Sequence, residues 1–138
     1  MPKRIIIDAG PLIALFDKDD KYHTDALKFL RDFKGELISN IAVITEVTHL
    51  LDFSVRVQID FLQWVGNGGI SIAEIMREDL QRIFELTEKY SDLPMDFADA
   101  SLVALCERMK IKDIASVDRD FGIYRTQERQ PLRNIFFA

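Results

Sequence analysis

A chain of 138 residues has the length of one ordinary domain, and 48% hydrophobic with 30% charged residues is a globular rather than a disordered balance. The lone cysteine, Cys106, excludes an intrachain disulfide, and no run approaches the ~20 apolar residues that span a bilayer. A net charge of −5 argues against a sequence-independent nucleic-acid binder, although two bound divalent cations would bring that figure to −1.

Residues 1–138 are expected to form a single unit, since no repeat, linker or low-complexity tract interrupts them. Asp8 ends the first apolar run after three residues, too early for a secretory signal, so the reading is a cytoplasmic chain. Arg4–Ile7 predicts a buried strand ended by the turn Asp8-Ala9-Gly10-Pro11, with Pro11 opening a short helix through Phe16. Apolar residues at helical spacing predict a helix from His23 to Phe33, stopped by Gly35. Glu36–Ser39 reads as a second strand, and Asn40 as the cap of a helix whose apolar face is Ile44, Val47, Thr48 and Leu51.

A further helix is expected from about Ser54 to Val65, ended by Gly66-Asn67-Gly68-Gly69. Ile70–Ile75 alternates as a strand does. Leu80, Ile83, Phe84 and Thr87 mark one helix face, and Ala98, Leu102, Leu105, Cys106 and Met109 mark another. Ile114–Val117 predicts a fourth strand ended by Asp118, and Ile135–Phe137 a fifth. Strands alternating with helices imply an α/β fold on a mainly parallel sheet. Trp64 and the ten phenylalanines read mostly as core.

In such sheets ligands bind beyond the carboxyl ends of the strands. Two predicted strands end there in aspartate, Asp8 and Asp118, though either alone also suits turn or cap chemistry. Glu46 follows the cap Asn40 by six residues, near the same edge, where a solvent-facing glutamate is the ordinary alternative. After Pro94, Asp96 and Asp99 share one face of a first helical turn, a place the helix dipole favours for acids without any function. Together these acids suit Mg2+ or Mn2+, which prefer carboxylate oxygen. Cations held by several acids can activate water and steady a leaving oxygen in phosphodiester hydrolysis.

Other chemistries lack their parts. No glycine-rich phosphate loop is present, and His23, His49 and Cys106 are badly spaced for zinc. Cys106 falls on an apolar stripe, and His49 reads as a surface partner of Glu46. A phosphatase of the haloacid dehalogenase type needs a second aspartate two residues after the first, where this chain has Gly10.

The ordered segments Ile-Ile-Ile-Asp8-Ala-Gly-Pro-Leu, Val-Ile-Thr-Glu46-Val, Asp96-Phe-Ala-Asp99-Ala-Ser-Leu and Ala-Ser116-Val-Asp118-Arg-Asp120-Phe resemble those of PIN-domain ribonucleases, in particular VapC-type toxins. The resemblance spans nearly the whole chain. It implies a PIN-like three-layer α/β/α fold with about five strands, and a catalytic, metal-binding quartet of Asp8, Glu46, Asp99 and Asp118. Asp96 and Asp120 would be auxiliary acids, and Ser116 stands where relatives usually carry threonine. Ala9 departs from the hydroxyl residue many relatives have after the first aspartate.

The resemblance further implies Mg2+ or Mn2+ dependence, RNA as substrate, a homodimer and a cognate antitoxin. The alternative is a non-catalytic or housekeeping PIN-like protein that processes or binds RNA. Arg119, Arg125, Arg129 and Arg133, set against only Asp120 and Glu128 in residues 119–138, are the expected contacts for substrate phosphates.

Overall fold

The computed structural model describes residues 3–137. Its centre is a five-stranded, wholly parallel sheet in the order β3-β2-β1-β4-β5. The strands are β1 (Lys3–Ile7), β2 (Gly35–Ser39), β3 (Ser71–Ile72), β4 (Asp113–Ala115) and β5 (Arg133–Asn134). β1 and β2 both begin exposed and end in three buried residues, because helices cover the two faces of a parallel sheet and leave no solvated side.

Six helices fill the connections: α1 (Ala9–Phe16), α2 (His23–Asp32), α3 (Ile41–Leu50), α4 (Val55–Gly66), α5 (Asp79–Lys89) and α6 (Phe97–Met109). α1 packs against α2, α3 and α4, while α5 packs on α6. The chain winds outward from β1 through β2 to β3, then crosses back to β4 on the other side of β1. Parallel crossovers are right-handed, so this reversal places α5 and α6 on the face opposite the first four helices. The reversal also opens a crevice between the carboxyl ends of β1 and β4. Ile7 pairs with Ala115 there, and Asp8 N donates to Ala115 O (2.9 Å), one rung beyond the strand.

Local chemistry accounts for most boundaries. Asn40 accepts from Val43 N (3.1 Å) as the cap of α3, and Ser54 caps α4 through Val57 N. The end of α4 is followed by Gly68 at φ 94°, a backbone angle that favours glycine. α6 starts at Phe97 rather than at Pro94, because Asp96 is its cap. Every residue from Ala98 to Cys106 except Asp99 is buried, so α6 is covered almost all round, with the Cys106 thiol buried and its pKa pushed up to about 12 by burial.

Several expectations shift. The third strand is two residues long, not six: after Ala73 N bonds Ser39 O, the Arg108 guanidinium takes the Glu74 carbonyl (2.6 Å) and draws the chain toward α6. The last strand is Arg133–Asn134 rather than Ile135–Phe137. Asn134 Oδ1 accepts from Phe136 N (3.1 Å) and turns the chain, so that Phe136 stacks among Tyr22, Phe29 and Phe137. On α5 the buried face is Ile83, Leu86 and Tyr90, whereas Leu80 and Phe84 (61% exposed) face outward. Phe53, Phe97 and Phe137 are exposed too, so four phenylalanines do not belong to the core.

Gly10, in the first turn of α1, lies close against Val117, which follows β4 on the other side of the crevice. A Cβ there would lie 2.2 Å from Val117 Cγ2. Valine is stiff at χ1, so relief requires the Ser116–Asp118 segment to move. Gly10→Ala gains about 1 kcal/mol of helix propensity but overpacks at a cost of about 1–3 kcal/mol. Urea denaturation is expected to show a net loss of stability; an unchanged or raised midpoint would mean that Val117 yields freely.

Candidate active site

The sequence-predicted acids collect at the crevice between β1 and β4. Asp8 occupies the position of an N-cap for α1, yet its side chain caps nothing. It is buried, and its Oδ2 accepts from Ser116 Oγ (2.8 Å). The same Ser116 oxygen accepts from Asp118 N (2.9 Å). One hydroxyl therefore ties the first acid to the backbone of the last. Asn134 braces this serine from the β5 side, with Ser116 N donating to Asn134 Oδ1 (3.2 Å) and Asn134 Nδ2 to Ser116 O (2.9 Å).

Asp118 begins a 3-10 turn, Arg119–Gly122, where its Oδ1 accepts from Asp120 N (2.9 Å). Asp96 and Asp99 form a reciprocal capping box at the start of α6: Asp99 N donates to Asp96 Oδ1 (2.8 Å), and Asp96 N to Asp99 Oδ2 (3.2 Å). Capping thus accounts for one oxygen of each of Asp96, Asp99 and Asp118, but not for Asp8. Glu46, half-buried on α3, reaches the same region. Asn40 Nδ2 donates to Ser101 Oγ (3.0 Å), joining α3, which carries Glu46, to α6, which carries Asp99.

Electrostatics show the proximity of these groups. Burial raises the Asp8 pKa to about 6, with Asp118 and Asp96 adding repulsion and the bonds from Ser116 and Ala9 opposing it. Burial, then Asp8 and Asp96, raises Glu46 to about 7. Burial, then Asp8, Asp96 and Asp118, raises Asp99 to about 8. Each of these acids is driven toward its neutral form by desolvation and by like charge, the two influences that a cation reverses. Among the described residues, no three acid, imidazole or thiol groups already converge into a cation cage. The donor set nevertheless fits a hard divalent cation: it is all carboxylate, crowded and short of positive partners.

Other expected residues fall elsewhere. Asp120 stands at the rim, beside Asp118. His49 is exposed on α3 and makes no hydrogen bond to Glu46 among the described residues. Arg133 lies at the amino edge of the sheet, far from the acids in strand terms, and is held by Asp113 (2.7 and 2.9 Å). The Arg125 guanidinium is folded onto the carbonyls of Gly122, Ile123 and Tyr124. Arg119, next to Asp118, sits 5.5 Å over the Phe137 ring, and Arg129 is exposed. Asn134 and Ser101 were missed because a lone polar residue beside an apolar run carries no sequence pattern.

A family model described as PIN domain matches residues 5–126. The chain belongs to the PIN domain family. Ribonuclease VapC26 of Mycobacterium tuberculosis (strain ATCC 25618 / H37Rv) is 25% identical over 117 residues, covering 83% of this chain and 87% of that protein. The crystal structure of Mycobacterium tuberculosis VapC20, a sarcin–ricin loop cleaving toxin, superposes with a TM-score of 0.79. The match covers 86% of this PIN domain chain and 93% of VapC20 at 16% identity, a likeness of fold.

The raised acids fix a pH dependence. Asp8, Glu46 and Asp99 hold protons in the folded chain that the unfolded chain has already released, across the window from the ordinary carboxylate values near 4 up to about 6, 7 and 8. Stability therefore falls as pH rises through that window. Asp113 works the other way, since the Arg133 hydrogen bond holds its pKa below the ordinary value, and its contribution is lost only at more acid pH. The cation-free melting temperature is expected to drop between about pH 5 and about pH 8.5, and Asp8→Asn to flatten the drop. A melting temperature that rises steadily over that range would show that the acids do not repel one another.

Proposed function

We propose that this chain is a metal-dependent ribonuclease that hydrolyses RNA phosphodiester bonds, the toxin of a toxin–antitoxin pair. The observation that carries the reading is the crevice edge where Ser116 ties the buried Asp8 carboxylate to the Asp118 backbone, while Glu46 and Asp99, on helices joined by the Asn40–Ser101 bond, both feel the charge of Asp8. The names of the similar proteins support RNA as the substrate class: VapC26 is called a ribonuclease, and VapC20 a sarcin–ricin loop cleaving toxin.

Asp8 and Asp99 would hold the principal Mg2+ or Mn2+ ion, with Glu46 and Asp118 completing its water shell or helping to hold a second. A cation bound there would supply Lewis acidity toward water and phosphate oxygen. The chain's own contribution is placement. Ser116 fixes the carboxylate of Asp8 by donating to one of its oxygens, leaving the other oxygen unencumbered by that bond. The capping box fixes Asp99 in the same sense, through Oδ2. The Asn40–Ser101 bond sets the distance between the helices of Glu46 and Asp99. Arg119, exposed and next to Asp118 in the chain, would be the cation that meets a substrate phosphate.

Ile41, Phe53, Val55 and Phe84 are apolar and exposed, which suits a chain that meets protein partners, here a second copy and a cognate antitoxin. No described helix is long and apolar enough to cross a membrane, and a cytoplasmic location accords with an RNA target.

Calorimetric titration with Mn2+ tests the reading directly, followed by RNA cleavage with the same preparations. The wild type is expected to bind saturably. Asp8→Asn and Asp99→Asn are each expected to weaken binding by more than about tenfold, the lower bound seen when only a supporting group of a metal site is lost. Both should abolish cleavage and yet melt no lower than the wild type without cation, because each removes a repulsive charge. Binding and cleavage indifferent to both substitutions would sink the assignment.

A further inference from the structure

A groove of about 610 Å3 lies between α2 and the C-terminal segment that begins with β5. Aromatic rings form its apolar lining in an unbroken row. Phe33 stacks on Phe29 (5.6 Å, 16°), Phe29 meets Phe136 (5.6 Å, 58°), and Phe136 meets Phe137 (5.2 Å, 76°). At the end of the row the Arg119 guanidinium sits over the Phe137 ring (5.5 Å). Arg119 is the residue after Asp118, so one side chain links the groove to the acid crevice.

Three cations and two acids also line the groove, in a chain whose net charge is −5. Lys3 and Arg133 share the single carboxylate of Asp113 (3.9 and 2.7 Å). Lys28 is exposed on α2 and pairs with no carboxylate among the described residues. Asp32, one turn on, is taken by Arg31 (3.2 Å), while Asp25, one turn back, is exposed and leaves an acceptor in the same wall.

This mixture narrows the occupant. A helix docking through apolar contacts would have to desolvate these charges, and an acidic peptide would meet Asp25. A nucleotide matches every kind of group present. It has a flat face for the rings, a phosphate for Lys28, and amino and ribose hydroxyl donors for an exposed carboxylate. The volume falls within the ~300–1,000 Å3 of small-ligand sites.

Resting on the ribonuclease reading above, we propose that this groove binds single-stranded RNA beside the cleavage site, with an unpaired base against Phe137 and a backbone phosphate at Lys28. Arg119 stands where the strand passes from the crevice into the groove. Bases already paired in a duplex cannot lie on the rings, so the groove selects unpaired RNA.

Fluorescence anisotropy in the absence of divalent cations, with a labelled single-stranded RNA of about ten nucleotides, tests the proposal. The wild type is expected to bind this RNA, and to bind the same sequence as a duplex more weakly. Phe137→Ala is expected to weaken binding about tenfold with unchanged salt dependence, since stacking releases no counterions. Lys28→Ala is expected to weaken it too, and to make log affinity against log salt shallower by about 0.7, one phosphate contact on a single strand. Lys89→Ala, exposed on α5 across the sheet, is the control and changes neither. Phe137 and Lys28 are both exposed, so the variants are expected to melt with the wild type. If both variants bind as the wild type does, the groove is no RNA site and the proposal is overturned, even where RNA is cleaved with Mn2+. If both bind more weakly but the wild type cleaves no RNA with Mn2+, the groove stands and the ribonuclease reading falls. A wild type that neither binds nor cleaves RNA sinks both.

Discussion

Like charge gathered at a desolvated edge is the constraint on which this molecule turns. Asp8 is buried at the end of the central strand, Asp118 lies across the β1–β4 pairing, and Asp99 enters from the first turn of α6. Desolvation alone disfavours their charged forms, and mutual repulsion adds to it. No well-packed core would choose this arrangement for stability. Its persistence needs a fold stiff enough to hold the acids in place.

That stiffness has identifiable sources. The strands beneath the acids are covered on both faces, and the Ile5–Ile7 run of β1 is entirely buried. The Ser116 hydroxyl serves two masters, the Asp8 carboxylate and the Asp118 amide, and Asn134 clamps the serine's backbone from the other side. Farther out, Arg82 of α5 grips Glu107 of α6 through both carboxylate oxygens (2.8 and 3.1 Å from Nε), and Glu107 in turn accepts from Gln127 N (2.9 Å). This clasp pins the loop after Tyr124 to the helix that carries Asp99. The acids are thus fixed from three directions, by the sheet, by α6 and by the C-terminal loop.

The parts of this arrangement that chain-local chemistry dictates were legible in the sequence. A β-branched run ended by Asp8, an asparagine before an apolar stripe, and Asp96 three residues before Asp99 are each short-range statements, and each corresponds to the element or cap observed. What pairs with what was not legible. Nothing near Asp8 says that β4 rather than β3 lies beside β1, and no strand order was expected; the PIN-like segments implied only that Asp8 and Asp118 belong to one quartet. The distant arginines misled for the same reason. Arg133 is close to Asp118 along the chain, but a strand of parallel sense carries it to the opposite edge and into the grip of Asp113. On α5, spacing cannot say which of two apolar stripes turns inward, and the one containing Leu80 and Phe84 turns outward.

The single cysteine gives the chain a property unrelated to RNA. Cys106 is shut inside α6's packing, and its thiol is held far from the thiolate that alkylating reagents and oxidants require. Cys106 also lines a cavity walled by Lys110–Lys112 and the loop Thr126–Gln130, so opening of that loop is what would bring the thiol to solvent. The molecule therefore carries a built-in reporter of how firmly its C-terminal loop is held against α6.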